Sequence, residues 1–210
     1  MYTLYYSPGT ASMVVHLALL EIGAPYELKL VDFETRAQQD ADYLKLNPQG
    51  VVPTLIADGR PLVESGALLM ILADRHPEAK LAPPPGTSAR EDWTQWIVYL
   101  SNALMASYRL WFYPQDLGRP VHDPVVQDAV RRRIEGIFDR LDAQLAAHGP
   151  YLLGEYFSGA DLMLTMLLRW SRNMPKPATE WPALKRQADL VRARASWQKL
   201  YALEGLTEWR

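Results

Sequence analysis

The pattern of apolar and polar positions changes period part-way along the chain. Tyr2 to Tyr6 is a short aromatic run stopped by Ser7-Pro8-Gly9, which predicts a strand and a turn. Met13, Val14, Leu17 and Leu20 then recur at helical spacing, with Gly23 placed to end that helix. Tyr26, Leu28 and Leu30 alternate with Glu27 and Lys29, the signature of a half-buried strand. Asp40 to Leu46 has room for a short helix. Val51 to Ile56 is again β-rich, Asp58-Gly59 turns it into Leu62-Val63, and Ala67, Leu68, Ile71 and Leu72 open a helix from Ser65 to about Arg75. The order is βαβ-α-ββ-α.

After Pro77, the run Pro83-Pro84-Pro85-Gly86 cannot be helical and marks a linker over residues 79–87. Everything beyond it, 88–210, has helical spacing. Trp93, Trp96, Ile97, Leu100, Leu104, Tyr108 and Trp111 form one stripe, and Val126, Val130, Ile134, Ile137, Leu141 and Leu145 another that Gly149-Pro150 ends. Pro114, Pro120 and Pro124 set off the loop between them. In Ser158-Gly159-Ala160-Asp161 the serine can cap the next helix while Asp161 reaches back to the Ser158 amide, with Phe157 placed to pack on Leu162. That box is a folding device.

Composition narrows the function classes. The chain of 210 residues is 49% apolar and carries a net charge of −2, so it can bury a core and has no bias toward nucleic acid or anionic membrane surfaces. It has no cysteine, which excludes disulfides, thiolate metal sites and a cysteine nucleophile. No apolar run approaches the roughly 20 residues of a membrane span, and Met1 to Pro8 lacks the basic start of a signal peptide. A soluble cytoplasmic protein is expected. The four histidines, at 16, 76, 122 and 148, lack metal-ligand spacing, and no phosphate loop, dinucleotide fingerprint or nucleophile elbow is present. Arg131-Arg132-Arg133 is expected to be a solvated helix face.

One stretch carries chemistry. Pro53 interrupts the run Val51 to Ile56 and cannot donate to a sheet ladder, so it belongs at an edge, a bulge or a cis turn. With a cis Val52-Pro53 bond, the amide and carbonyl of Val52 turn outward, free to pair with a peptide-like ligand. Eleven residues on, Ser65 is a candidate N-cap, and a helix N-terminus attracts a carboxylate.

Val52-Pro53 followed by Glu64-Ser65, together with the later Ser158-to-Asp161 box, resembles the glutathione S-transferases over essentially the whole chain. The resemblance implies a thioredoxin-like α/β domain over residues 1–78, an all-helical domain over 88–210, and a homodimer. Its co-substrate would be glutathione, with no metal. Val52 and Pro53 would align the peptide, and Glu64 and Ser65 would hold its γ-glutamyl end. Arg36 matches a beta-class basic residue that meets the glycine carboxylate, although a solvated charge fits it equally well, and Gln49 is a similar candidate.

The same resemblance divides at the thiol. Tyr5 to Ser12 is similar to bacterial beta-class members, yet the beta-class cysteine falls on Ala11 and its histidine near Met105, so both are missing. Mixed-disulfide chemistry through a protein cysteine is excluded. A delta-class serine falls on Thr10, which keeps a hydroxyl. Ser12, Tyr5 and Tyr6 are the other candidates to activate sulfur. Each has a plainer reading, as helix caps for Thr10 and Ser12 and as core aromatics for the tyrosines. The acceptor, a hydrophobic electrophile, is expected between domains against Met105, Tyr108, Trp111, Phe112 and Trp170, with Met174 behind; such a stripe is otherwise core or dimer contact. The alternative function is a non-catalytic glutathione-binding or protein-interaction module on the same fold.

Overall fold

The computed structural model describes residues 1–209. Two compact units are formed, one by Met1–Ala82 with Arg192–Arg210 and the other by Pro83–Val191. In the first unit the order is β1 (Tyr2–Tyr6), α1 (Met13–Ile22), β2 (Tyr26–Leu30), α2 (Ala41–Leu46), β3 (Thr54–Ala57), β4 (Arg60–Leu62) and α3 (Ser65–Arg75). The sheet runs β2-β1-β3-β4, with β1 parallel to β2 and antiparallel to β3. Leu4 of β1 pairs with Leu55 of β3, and both are fully buried. Met13, Val14, Leu17 and Ala18 of α1 and Leu68, Leu69 and Leu72 of α3 complete that core. These are the spacings expected from the sequence. Leu30 is the exception: it is 57% exposed, because β2 is an edge strand and Leu30 lies at its end.

The second unit is helical: α4 (Ser88–Tyr99), α5 (Ala106–Phe112), α6 (Pro124–His148), α7 (Gly159–Trp170) and α8 (Pro182–Arg192). The stripe from Trp93 to Trp111 is not one continuous α-helix, since Leu100–Met105 forms a π turn joining α4 to α5. Leu100, Leu104 and Tyr108 are buried at steps of four, slightly more than one 3.6-residue turn. The wider i→i+5 turn keeps them on one face. Pro124, expected in the loop, is instead the first residue of α6, where it loses no hydrogen bond, and Asp123 caps the amides of Val125 and Val126. Val126 is 39% exposed, so the buried stripe of α6 begins at Val130.

The last helix, α9 (Ala195–Glu204), belongs with the first unit, whereas the sequence pattern assigns 88–210 to one helical domain. It packs on α1 and is tied there by Arg194, whose guanidinium donates twice to Glu21 at 2.7 Å. Helical spacing cannot reveal such a partner 173 residues away.

Candidate functional site

Of the expected glutathione residues, Val52 and Pro53 lie at the end of β1 by strand register, and Ser65 is bonded to the loop that follows β1. Thr54 of β3 pairs with Tyr5, so one step further along the antiparallel register sets Val52-Pro53 beside Tyr6-Ser7. The Val52-Pro53 bond is cis. Among the described residues nothing donates to the Val52 carbonyl or accepts from its amide. The neighbouring Val51 carbonyl, by contrast, is clamped: Tyr43 donates its hydroxyl at 2.6 Å and Asn47 its Nδ2 at 2.7 Å. Tyr43 and Asn47 are both buried, and burial pushes the Tyr43 phenol up, so it remains a donor. Neither residue was a candidate from the sequence. The asparagine of Asn47-Pro48-Gln49-Gly50 was the visible signal, since an Asn before a turn can bond its own backbone.

Ser65 is not the N-cap of α3. That position is Glu64, whose φ of 70° and ψ of 107° bend the chain into the helix, and Ser65 is the first helical residue. The Ser65 hydroxyl donates instead to the Ala11 carbonyl at 3.0 Å, which fastens the start of α3 to the loop before α1. The first intrahelical bond runs from the Leu68 amide to the Glu64 carbonyl, leaving the amides of Ser65, Gly66 and Ala67 without partners among the described residues. Three aligned donors at a helix start form an anion site. Glu64 is exposed and its carboxylate makes no ion pair among the described residues. Arg36 is likewise exposed, in a left-handed turn at φ 61°, and Gln49 is exposed with its amide held by Asn47 Oδ1.

The loop from Ser7 to Ser12 is internally bonded. Thr10 donates its hydroxyl to the Ser7 carbonyl at 2.7 Å and lies 2.9 Å from the Ser12 hydroxyl. Ser12 also reaches the Ser7 carbonyl, at 3.1 Å, and is fully buried, whereas Thr10 is half-buried. Ser12, at the N-cap position of α1, makes no side-chain cap bond, while Thr10 Oγ1 accepts the Ser12 amide at 3.4 Å at the helix entry and sends its own proton back toward Ser7. Two hydroxyl protons serve one carbonyl. When Ser12 satisfies it, the Thr10 proton can turn to the Ser12 oxygen at 2.9 Å or to another acceptor.

The tyrosines point to opposite faces of β1. Tyr5 packs on Tyr43 with ring centroids 5.6 Å apart, in a cluster with Val31 and Val52. Tyr6 packs edge-on against His16. Burial, and then the nearby Glu204 carboxylate, push the Tyr6 phenol up, the wrong direction for an acidic donor.

In the helical unit the expected acceptor residues divide. Tyr108, Phe112 and Trp170 form one aromatic cluster, Tyr108 and Phe112 stacked at 5.7 Å and Trp170 edge-on to both. Tyr108 is fully buried, and burial pushes its phenol far up, while Phe112 is 45% exposed. Trp111 leaves the cluster to stack on His122, and Met105 is half-buried in the π turn. An open groove of about 970 Å³ runs along α4 and α6 past Trp96, Tyr99, Arg140 and His148, and none of the expected acceptor residues lines it. Among the described residues no group of acids and histidines is arranged to hold a metal, and no helix is long and apolar enough to cross a membrane.

Comparison with known proteins decides the family. Residues 1–74 match the model of the glutathione S-transferase N-terminal domain, and residues 124–195 that of its C-terminal domain. Glutathione S-transferase GST-4.5 of Xanthomonas campestris is 30% identical over 97% of this chain and 98% of its own. The chain belongs to the glutathione S-transferase family. Among solved structures, a sphingomonad glutathione S-transferase complexed with glutathione superposes with a TM-score of 0.87 at 29% identity, covering 98% of this chain and 100% of that one. The beta-class enzyme of Sphingomonas chungbukensis gives 0.86 at 30% identity over 98% and 100%. The family's thioredoxin-like and helical domains are both present, and the chain has no cysteine to serve as a catalytic thiol.

Proposed function

We propose that this family member joins the glutathione thiolate to a hydrophobic electrophile. The observation that carries the reading is at Val52, whose main-chain donor and acceptor have no partner among the described residues, together with the three unpaired amides at the start of α3. A cysteinyl residue within a peptide offers the complementary carbonyl and amide. In this proposal the free amides of α3 and the Ser65 hydroxyl take the γ-glutamyl carboxylate, and Glu64 takes the ammonium. Arg36 and Gln49 lie toward the glycine end. A relative bound to glutathione supports the same ligand here.

A free thiol near pKa 8.5 is mostly protonated at neutral pH, and each unit of depression takes about 1.36 kcal/mol of preference for the thiolate. The proposed donor is Thr10, with Ser12 holding the Ser7 carbonyl in its place. The proposed acceptor wall is the accessible edge of the aromatic cluster, Phe112 and Trp170, with Met105 beside it in sequence order. The family's usual homodimeric state and cytoplasmic location belong to the same proposal. Light scattering after gel filtration checks the first.

Turnover of a generic aryl halide with glutathione tests the function. Glutathione-dependent product formation is expected. Binding without turnover would instead assign a glutathione-binding module, and no binding at millimolar glutathione would overturn both.

Ser65→Ala tests the ligand's orientation. On binding, the hydroxyl exchanges a neutral carbonyl, Ala11, for a carboxylate, and charge-assisted bonds are roughly twice as strong as neutral ones. Glutathione affinity measured by calorimetry should fall about tenfold, the equivalent of about 1.4 kcal/mol for a bond to a charged group. A change under twofold would leave the amides alone as the anion site.

A further inference from the structure

The loop that carries Thr10 is held from outside by a residue near the end of the chain. Glu204, the last residue of α9, has a side chain with no solvent exposure. Its Oε2 accepts the Gly9 amide at 2.9 Å, and its Oε1 meets Nδ1 of His16 at 2.8 Å. His16 has no solvent exposure either, and its Nε2 lies 3.0 Å from the Tyr26 hydroxyl. One proton arrangement satisfies every atom: Tyr26 donates to Nε2, Nδ1 donates to the carboxylate, and Gly9 donates to the other oxygen. Gly9, at φ 71°, immediately precedes Thr10. Among the described residues the loop is also held by the Thr10 amide on the Ser7 carbonyl, by the Met13 amide on the Thr10 carbonyl, by its own hydroxyls and by Ser65 on the Ala11 carbonyl.

We propose that Glu204 is a positioning residue of the thiol site, fixing through Gly9 the direction in which Thr10 presents its hydroxyl. The proposal rests on the reading of Thr10 as thiol donor. A buried carboxylate that takes one of its two bonds from a loop amide restrains that amide more tightly than solvent does. A lost restraint of this kind acts on the direction of the Thr10 hydroxyl and leaves the peptide-holding atoms at Val52 and α3 untouched.

The test follows thiolate absorbance of bound glutathione against pH, with thermal unfolding in parallel. Glu204→Ala should raise the bound-thiol pKa by about one unit, a tenfold loss of thiolate at fixed pH below it, while glutathione affinity changes less than threefold. Glu204→Gln should keep most of the depression. Its amide oxygen can face Gly9 while its NH2 faces Nδ1, and His16 then takes the other tautomer and donates from Nε2 to Tyr26. The control is Arg194→Ala, which loosens α9 at its opposite end and should lower the melting temperature without moving the thiol pKa. Equal shifts in Glu204→Ala and Arg194→Ala would mean that α9 acts only as packing, and no shift in Glu204→Ala would mean that the Gly9 bond is irrelevant. Either overturns the proposal. Should Glu204→Ala fail to fold, Glu204→Asp withdraws the carboxylate by one methylene, and the Gly9 amide should exchange with deuterium at least tenfold faster. An unchanged rate there is contrary. A wild-type thiol that titrates as free glutathione refutes the Thr10 reading itself, and the present proposal with it.

Discussion

Thr10→Val should raise the pKa of bound glutathione by about one unit and slow conjugation about tenfold near pH 6.5, with glutathione affinity nearly unchanged. Valine keeps the branched shape and the packing of a half-buried threonine, so the loss is confined to one hydroxyl. One hydrogen bond to a charged sulfur is worth about 1.5–3 kcal/mol, and one pKa unit corresponds to 1.36 kcal/mol. Ser12→Ala should shift the thiol in the same direction by less. Buried and out of solvent, Ser12 acts by satisfying the Ser7 carbonyl; without it the Thr10 proton remains on that carbonyl at 2.7 Å. A wild-type titration for Thr10→Val beside a large shift for Ser12→Ala would reverse these roles. If neither shifts, the loop hydroxyls do not ionise the thiol.

Asp161→Ala should cost at least about 3 kcal/mol of stability, the largest effect expected from any single substitution discussed. The carboxylate is fully buried and accepts three bonds, from the Leu152 amide at 2.9 Å, the Ser158 amide at 2.9 Å and the Ser158 hydroxyl at 3.0 Å. Removing it strands two buried amides and a hydroxyl, each at about 1–3 kcal/mol. For a chain of this size that corresponds to roughly 6–12 °C in melting temperature. The pH dependence has a definite sign. Burial raises the Asp161 carboxyl to about 6, against the pull of the Leu152 and Ser158 donors. A carboxyl whose pKa rises on folding contributes stability that is fully present below its unfolded value, near 3.8, and lost as pH climbs through about 6. Asp161→Asn cannot titrate, so its deficit relative to wild type should be larger at pH 4.5 than at pH 7. Denaturant unfolding of both proteins at the two pH values checks this, and a deficit that widens toward pH 7 would contradict it.

What the sequence makes legible is what local chemistry decides. The Ser158–Asp161 box forms as its spacing demands, and the strand, turn and helix of Tyr2 to Gly23 follow from apolar period and breakers. Pro53 announces its turn because a proline cannot sit in a central strand. The misread features depend on neighbours distant in sequence. Ser65 has the composition of a cap, but the Ala11 carbonyl, 54 positions away, claims its hydroxyl. Leu30 has the right alternation and lies on the edge of the sheet. The π turn leaves the apolar stripe almost unchanged, since buried positions four apart suit either winding. Glu204 is one acid near the end of a chain, and nothing local distinguishes it from a solvated one until α9 is packed on α1.

Val52 is the residue proposed to receive the peptide backbone of glutathione. Its amide should therefore be followed by hydrogen exchange and nitrogen-15 chemical shift while glutathione is added to the wild-type protein. The predicted result is a saturable shift and slowed exchange at Val52, reaching completion together with the amides of Ser65, Gly66 and Ala67. A Val52 amide that shifts and exchanges as in the free protein, while glutathione perturbs resonances elsewhere, would contradict the account and place the ligand at another site.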